Sequence, residues 1–324
     1  MRFPGLLALL AIAPLAACAR SGGPGEDEEA GLDFGASEVE GAPAIPPLAQ
    51  IPPQELVGTI SFFAVGDTGY GGAVLAGVAG AMERSARERP AALALLLGDN
   101  FYPKGVKSTD DERWRTVFEE PFGSPALAIP FHAVLGNHDH RGRVEAQIAY
   151  SKESARWRMP SRWYTFTSTA PDGLTAQFFA LDTDPIEESW DDVPAQLGWL
   201  ADELSRSTAR WKIVFGHHPM LSHGRHGENQ AVSGKIVPLL ERFDVDLYVS
   251  GHDHDLQLLD SGRGWLQVVS GSGSSTRDTR YGEDTLFASA SPGYARVDLG
   301  KNAMWIEIAT AADGPRFRWR VEKR

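Results

Sequence analysis

Five apolar runs in this sequence each end in a glycine that is followed at once by Asp, Asn or His. These motifs are Gly66-Asp67, Gly98-Asp99, Gly136-Asn137-His138-Asp139, Gly216-His217 and Gly251-His252-Asp253-His254. Open α/β sheets carry their ligand sites at the carboxyl ends of the strands, so we expect the five motifs to meet at one rim. Glycine favours this arrangement because it allows sharp turns and close backbone approach.

The polar residues of these motifs form a donor set that is typical of a metal site. A single Gly-Asp pair after a strand is usually a turn, and a single histidine there is usually an ordinary hydrogen-bonded residue. From among these residues, two Asp, one Asn and three His can supply oxygen and imidazole nitrogen without a thiolate, which suits Fe, Mn or Zn better than Cu(I). Burying so many polar groups is costly unless cations compensate them. The sequence therefore predicts a metal site.

The pattern of apolar residues predicts one α/β domain from Gly58 to Arg324. Short apolar runs indicate buried strands at residues 59–65, 91–97, 132–135, 177–181, 212–215 and 246–250. Amphipathic stretches between them predict helices at residues 73–87, 110–119, 144–154, 193–205 and 231–242. The last part of the chain is strand-like at residues 265–269, 293–299, 304–309 and 316–321. We therefore expect an α/β sandwich of mixed β-sheets flanked by helices.

The first 18 residues resemble a bacterial lipoprotein signal peptide. Arg2 precedes an apolar run from Leu6 to Leu15 that is short for a membrane span, and Ala16-Ala17-Cys18 follows. The resemblance implies cleavage before a lipidated Cys18 and, because residue 19 is Ala, location in the outer membrane. The alternative is an ordinary secretory peptide and a periplasmic protein. Residues 19–57, rich in Gly, Pro and acidic side chains, predict a disordered tether.

Two features of the composition exclude other classes of protein. The formal net charge is −12, and non-specific binding to nucleic acid depends on Lys and Arg at the phosphates, so nucleic acid is not an expected partner. Cys18 is the only cysteine, which means that neither an intrachain disulfide nor a thiolate zinc site can form.

The motifs, in their order and with their flanking residues, resemble the five-motif signature of the calcineurin-like metallophosphoesterases. Tyr102, three positions after Asp99, narrows the resemblance to the purple acid phosphatases. Longer matches resemble the small, tartrate-resistant animal-type enzymes, at residues 97–102, 136–140, 146–152 and 251–254. The resemblance covers the chain from about Ile60 to Leu299.

The resemblance implies a pair of metal ions that Asp99 bridges. The first, Fe(III), would be bound by Asp67, Asp99, Tyr102 and His254; the second, a divalent Fe, Zn or Mn ion, would be bound by Asp99, Asn137, His217 and His252. A bridging carboxylate holds two cations about 3.5–4 Å apart, where they bind phosphate oxygens and activate water. His138 and His226 match positions that face the substrate in the family, and histidine suits proton transfer near neutral pH.

The resemblance thus implies an acid phosphatase that hydrolyses phosphate monoesters by attack of a metal-bound hydroxide. A phosphodiesterase or nucleotide hydrolase is the alternative on the same scaffold, because substrate choice depends on rim loops. A protein that binds metals without catalysis is a third interpretation, against which the presence of both His138 and His226 argues. Residues 182–193 match an inhibitory loop of the animal enzymes, but the segment is short and acidic here, so we do not expect inhibition by it.

Overall fold

Two seven-stranded β-sheets form the framework of the computed structural model, which describes residue 39 and residues 41–323. In spatial order, the strands of the first sheet are β14 (Gly314–Glu322), β13 (Ala303–Thr310), β12 (Gly293–Leu299), β1 (Ile60–Val65), β2 (Leu93–Leu96), β3 (Phe131–Ala133) and β4 (Trp157–Arg158). Those of the second sheet are β11 (Thr285–Ser289), β9 (Leu256–Asp260), β10 (Leu266–Ser270), β8 (Leu247–Ser250), β7 (Trp211–Phe215), β6 (Thr175–Ala180) and β5 (Tyr164–Thr169). The predicted α/β sandwich of mixed sheets is confirmed.

Helices pack on both sheets. They are α1 (Gly72–Glu88), α2 (Asn137–His140), α3 (Val144–Tyr150), α4 (Asp184–Glu188), α5 (Val193–Arg206) and α6 (Gln230–Arg242), with a π-helix at Trp114–Glu119 and 3₁₀ turns at Pro53–Leu56 and Pro125–Leu127. Apolar residues at helical spacing, such as Leu200 and Leu204 of α5, give each long helix one buried face. The α5 and α6 faces pack on the second sheet, where Val214 of β7 lies beneath them.

The direction of the strands brings the glycine motifs to one edge. Strands β1, β2 and β3 are parallel to one another, and so are β6, β7, β8 and β10. The motifs follow β1, β2, β3, β7 and β8, so they emerge at the carboxyl ends of parallel strands. Antiparallel strands extend each sheet away from this region, with β12, β13 and β14 on the first and β9 and β11 on the second.

The core between the sheets fixes the strands that carry the motifs. Phe62 of β1 and Phe178 of β6 are fully buried and meet edge to face, with their ring centroids 5.3 Å apart. Burial of a side chain of this size stabilises the fold by about 1.5–3 kcal/mol, and an aromatic pair adds about 0.5–1.5 kcal/mol. The two sheets are therefore held face to face directly behind the motif-bearing strand ends.

Most of the predicted strands and helices are confirmed to within a few residues. The helix predicted at residues 110–119 is wrong in its first part, because the Asp111 carboxylate accepts hydrogen bonds from the backbone N–H groups of Lys107 and Arg113, at 3.2 and 3.1 Å, and forms turns there. The helical turns begin at Trp114. The edge strands β4, β5 and β11, which have partly exposed residues, were not predicted, and neither was β9, which directly follows a motif.

The structure describes only part of the amino-terminal segment for which predictions were made. The signal peptide and Cys18 lie outside the described residues. Of the predicted tether, residues 39 and 41–57 are described, and its end contacts the first sheet: the Glu55 carboxylate accepts hydrogen bonds from Trp305 Nε1 at 2.7 Å and from Arg320 Nε at 2.9 Å. Over the described residues, no helix has both the length and the apolar character that crossing a bilayer requires.

Candidate metal centre

The five glycine motifs meet at the rim above the carboxyl ends of the parallel strands. Backbone hydrogen bonds join them, both within a sheet and between the two sheets. The Asp67 N–H group donates to the Gly98 carbonyl at 3.0 Å, which links β1 to β2. The Gly66 N–H group donates to the Ser270 carbonyl at 2.7 Å, which links the first sheet to the second. The predicted convergence of the motifs is therefore observed.

The backbone at the rim has little room and adopts unusual conformations. A β-carbon at Gly136 would lie 2.2 Å from Asp99 Oδ1, and one at Gly251 would lie 2.5 Å from Asp67 Oδ2, so only glycine fits at either position. Asp67, Asp99 and His252 have φ angles of 57°, 49° and 70°, in the left-handed region that side chains other than glycine rarely adopt. Such strain costs about 1–3 kcal/mol per residue and persists where the surrounding structure enforces it, often at functional sites.

One group of donors surrounds the Tyr102 hydroxyl. This oxygen lies 2.9 Å from Asp67 Oδ1, 2.9 Å from Asp99 Oδ2 and 3.1 Å from His254 Nε2. The other ring nitrogen of His254, Nδ1, lies 2.6 Å from the Ser275 hydroxyl, which orients the ring. The structure thus brings together the four residues that the resemblance assigns to Fe(III).

A second group of donors surrounds Nε2 of His217. This nitrogen lies 3.2 Å from Asn137 Oδ1, 3.2 Å from His252 Nδ1 and 3.5 Å from Asp99 Oδ2. Nδ1 of His217 lies 2.8 Å from the Leu97 carbonyl, to which it must donate, so Nε2 is the ring nitrogen that faces the other donors. These are the four residues that the resemblance assigns to the divalent ion, and Asp99 belongs to both groups. Burial lowers the pKa of His217, but Asp99 and Asp67 outweigh it and raise the pKa above its ordinary value.

The chemistry of these donors fits a cation pair. The Asp67 and Asp99 carboxylates are buried, and burial together with those carboxylates raises the pKa of Tyr102 well above its ordinary value. Burial and the nearby His218 and His217 lower the pKa of His252 well below its ordinary value, so its imidazole is neutral, as a metal ligand must be. A phenolate at Tyr102 requires neighbouring positive charge, and bound cations would supply it.

The two histidines expected to face the substrate border the same small cavity as the metal-binding candidates. His138 Nδ1 lies 2.8 Å from the Pro103 carbonyl, and its ring packs against the edge of Tyr102 with centroids 4.6 Å apart. The His226 ring centroid lies 4.2 Å from that of His252. All nine predicted site residues are therefore close together, and the roles of His138 and His226 stay predictions.

Two motif aspartates have structural contacts instead. The Asp139 carboxylate accepts hydrogen bonds from Gln147 Nε2 at 2.8 Å and from the backbone N–H of Gly136 at 3.0 Å. The Asp253 carboxylate accepts hydrogen bonds from the Ser222 hydroxyl and from the His226 backbone N–H, the latter at 2.8 Å. These contacts point both carboxylates away from the cluster and fix the backbone of two of the motifs.

Several polar residues around the cluster were not among the predicted site residues. Ser275 and Arg277 come from the loop after β10, and Arg277 lines the cavity beside His226. His218 is buried, with Nδ1 2.8 Å from the Thr183 hydroxyl and Nε2 2.9 Å from the Glu187 carboxylate. A Gly-Ser-rich stretch at residues 271–275 signals a tight loop, but nothing in it indicates which side chains the loop will approach.

Comparison with known proteins places the chain in a family. A family model described as calcineurin-like phosphoesterase matches residues 60–256. The tartrate-resistant acid phosphatase type 5 of Rattus norvegicus is 34% identical over 310 residues, which covers 82% of this chain and 91% of that protein. Purple acid phosphatase 4 of Arabidopsis thaliana is 32% identical over 290 residues, with coverage of 82% and 84%.

A solved structure agrees at the level of fold. It is described as GAP50, the anchor in the inner membrane complex of Plasmodium, and has a TM-score of 0.73 with 23% identity over 82% of this chain and 89% of that chain. At this identity the likeness shows the fold alone. The sequence relatives go further, since they match over nearly their whole length and the chain holds the motif residues in one cluster. The chain therefore belongs to the purple acid phosphatases, the metal-dependent phosphoric monoester hydrolases within the calcineurin-like phosphoesterase family.

Proposed function

We propose that this chain is an acid phosphatase with a binuclear centre of Fe(III) and a divalent Fe, Zn or Mn ion, in which Asp99 bridges the two metals. One observation carries the proposal: Asp99 Oδ2 lies 2.9 Å from the Tyr102 hydroxyl and 3.5 Å from His217 Nε2, and so stands between the two donor groups. Asp67 and His254 complete the first group, and the second includes Asn137 and His252 with His217.

The chain's own residues have two tasks in the reaction. When bound, the metal pair would neutralise charge on the phosphate oxygens and lower the pKa of water. The metal-binding residues hold this charge in fixed positions, and the strained backbone at Asp67 and Asp99 aims their carboxylates. His138 and His226 border the cavity where the ester would lie, so either ring can bind phosphate or give a proton to the departing alcohol.

Turnover of two related substrates tests the proposed activity. Purified protein should hydrolyse an aryl phosphate faster than the corresponding bis-aryl diester, and His138→Ala should retain both metals while losing rate. Faster hydrolysis of the diester would instead indicate a phosphodiesterase. A protein that holds two metals but turns over neither ester would be a binding protein, and the proposed function would then be wrong.

The identity of the metals has a spectroscopic test. A Tyr102 phenolate bound to Fe(III) produces a charge-transfer band in the visible range, because phenolate is a strongly donating ligand. We expect the wild-type protein to be coloured and most active in mildly acidic solution, and Tyr102→Phe to lose the colour while keeping much of its activity. A colourless, fully active wild type with two divalent ions and an alkaline optimum would contradict the Fe(III) assignment.

We also propose that the chain is anchored in the bacterial cell envelope through a lipid on Cys18, with residues 19–57 as a tether. The amino-terminal pattern that ends in Ala16-Ala17-Cys18 supports this location. Wild-type protein should partition with outer membranes and carry acyl chains on Cys18, whereas Cys18→Ser should not. Recovery of unmodified wild-type protein from the soluble periplasm would favour the ordinary secretory peptide instead.

A further inference from the structure

An arginine stands among the metal-binding candidates at the rim. The small cavity there is lined by Asp99, Tyr102, Asn137, His138, His226, His252, His254 and Arg277. Seven of these residues are the predicted ligands or substrate-facing histidines, and Arg277 is the one lining residue with a permanent positive charge. It follows Gly271-Ser272-Gly273-Ser274-Ser275, which no motif of the sequence analysis includes.

The backbone holds Arg277 firmly beside the cluster. Its N–H group donates to the His254 carbonyl at 2.8 Å, and Ser275, two residues earlier, contacts Nδ1 of the same histidine at 2.6 Å. The loop is therefore attached at two points to a predicted iron ligand. These contacts hold the backbone of Arg277 at a fixed position beside the cavity.

The side chain of Arg277 points across the cavity to His226. Its Nη1 lies 2.8 Å from His226 Nε2. A guanidinium group has five N–H donors and no acceptor, so Arg277 donates to the ring nitrogen in this contact. Among the described residues, that is the only side-chain hydrogen bond of this guanidinium, and its remaining N–H groups are available to a ligand that carries oxygen acceptors.

We propose that Arg277 binds the phosphoryl oxygens of the substrate and of the released phosphate, exchanging part of its contact with His226 for this interaction. The inference rests on the proposed phosphatase function. A guanidinium matches phosphate in shape and charge, because two parallel N–H groups can bond to two oxygens. A monoester offers three terminal oxygens and up to two negative charges, whereas a diester offers two oxygens and one charge. Arg277 therefore also favours monoesters over diesters.

The test compares three variants of the metal-loaded protein. Arg277→Gln removes the charge, Arg277→Lys keeps it without the paired N–H geometry, and Arg280→Gln removes an exposed arginine of the same loop as a matched control. Calorimetry would measure the Kd of inorganic phosphate at one ionic strength. Steady-state kinetics would give kcat and KM for an aryl phosphate and for its bis-aryl diester, and elemental analysis would give the metal content.

We expect Arg277→Gln to weaken phosphate binding and raise KM for the monoester by about tenfold or more, since hydrogen bonds between charged groups are strong. Its ratio of monoester to diester turnover should fall, Arg277→Lys should recover part of the loss, and Arg280→Gln should match the wild type. Metal content should not change in any variant.

Two results would overturn the inference. One is an unchanged phosphate Kd in Arg277→Gln. The other is loss of metal in that variant, which would show that Arg277 serves to hold His254 in place and does not bind phosphate. Either result leaves the phosphatase function standing as long as the wild type hydrolyses the monoester. If the wild type hydrolyses neither ester yet its phosphate binding depends on Arg277, the proposed function fails and the phosphate site remains.

Discussion

Two regions of the first sheet bury carboxylates, and they compensate the negative charge in different ways. One is the metal centre, where Asp67 and Asp99 are 0% and 2% exposed. The other, which we call the arginine cluster, is centred on β12 and β13 and also includes β14 and the end of α1; it consists of Asp298, Glu307, Arg89, Arg296 and Arg318. Asp298 and Glu307 are each 1% exposed, so burial is equally complete in both regions.

The chain itself supplies the positive charge in the arginine cluster. Arg296 Nη2 lies 2.9 Å from Asp298 Oδ1, and Arg89 bridges the two acids, with contacts of 2.6 Å to Asp298 and 2.7 Å to Glu307. Arg296 is itself 1% exposed and lies over the ring of Phe63 at 5.3 Å. Ions removed from water cost several kcal/mol each, and close pairing offsets that cost.

The metal centre lacks such partners. Within residues 41–323, neither Asp67 nor Asp99 forms an ion pair with lysine or arginine; their contacts are the Tyr102 hydroxyl, backbone N–H groups and imidazole nitrogens. Imidazole is charged only when protonated. Burial and the neighbouring histidines lower the pKa of His252 well below its ordinary value, whereas Asp99 and Asp67 outweigh burial and raise the pKa of His217. A protonated His217 supplies at most one positive charge against two buried carboxylates. The comparison indicates that the centre is built to receive positive charge from bound ions, whereas the arginine cluster is complete without them.

The largest expected effect comes from removing the charge that both metals would share. Asp99→Asn should lower kcat for an aryl phosphate by about a thousandfold or more, because the metal pair contributes several kcal/mol of charge stabilisation in the transition state. Asp298→Asn makes the same chemical change in the arginine cluster and should leave kcat per folded molecule unchanged. Near-normal turnover by Asp99→Asn would contradict the claim that the carboxylates of the metal centre, unlike those of the arginine cluster, are needed for activity.

Removing a cation from the arginine cluster should instead affect folding. Arg296→Met leaves the Asp298 carboxylate buried with one of its arginines gone, and breaking a buried pair in this way costs about 3–5 kcal/mol of unfolding free energy. Urea unfolding would measure the loss. Arg320→Met removes an exposed arginine of β14, on the same sheet, that pairs with Glu55 of the 3₁₀ turn at Pro53–Leu56, and it should cost about 1 kcal/mol or less. Equal losses of unfolding free energy in the two variants would show that the cost of removing an arginine does not depend on how deeply it is buried.

A smaller effect should follow from loosening one predicted iron ligand. Ser275→Ala removes the hydroxyl 2.6 Å from His254 Nδ1, and loss of such an orienting partner typically lowers metal affinity by about 10–100-fold. Competition with a chelator would measure the change. Ser272→Ala is the matched control, because Ser272 Oγ is buried in the same loop without a hydrogen-bond partner among the described residues. Equal affinities in the two variants would contradict an orienting role for Ser275.

The smallest effect concerns the pH dependence of stability. Burial raises the pKa of Asp298, but Arg296 and Arg89 outweigh it and hold the pKa below the ordinary value of 3.8. As the pH falls, the unfolded chain therefore binds a proton at this group before the folded chain does, so the stabilisation is complete above pH 3.8 and is lost below it.

The difference in unfolding free energy between wild type and Asp298→Asn measures this contribution. It should stay constant from neutral pH down to about pH 5 and narrow once the pH falls through the folded pKa of Asp298. Urea titrations at several pH values would follow it, and any metal loss in acid affects both proteins alike. A wild-type stability that instead rises relative to Asp298→Asn as the pH falls from 7 to 5 would show that the pKa of Asp298 is raised.

Sequence reasoning worked well for the metal centre because its donors directly follow strand ends. Once a strand is identified, the next residues must emerge at its carboxyl end, and this was enough to bring Asp67, Asp99 and His217 to one rim. The same rule did not distinguish the predicted ligands from Asp139 and Asp253, which lie in the same motifs. Those side chains are directed away by hydrogen bonds to residues such as Gln147 and Ser222, which lie in other segments.

Residues outside the motifs could not be placed in this way. Arg277 belongs to a loop whose path depends on contacts between the two sheets, and no local pattern specifies where that loop ends. The arginine cluster was similarly hidden, although Arg296 and Asp298 are two residues apart and therefore share one face of β12. Their opposite charges in an otherwise apolar run were a signal of a buried pair, but the partner Arg89 comes from a distant segment.

Metal analysis of purified protein tests most directly the claim that bound cations complete the buried carboxylate cluster. Wild type and Asp298→Asn should each hold two metal ions per folded chain, Asp99→Asn should hold fewer than two, and activity should follow the metal content. Full activity in wild-type protein with one ion or none, or two tightly bound ions in Asp99→Asn, would contradict it.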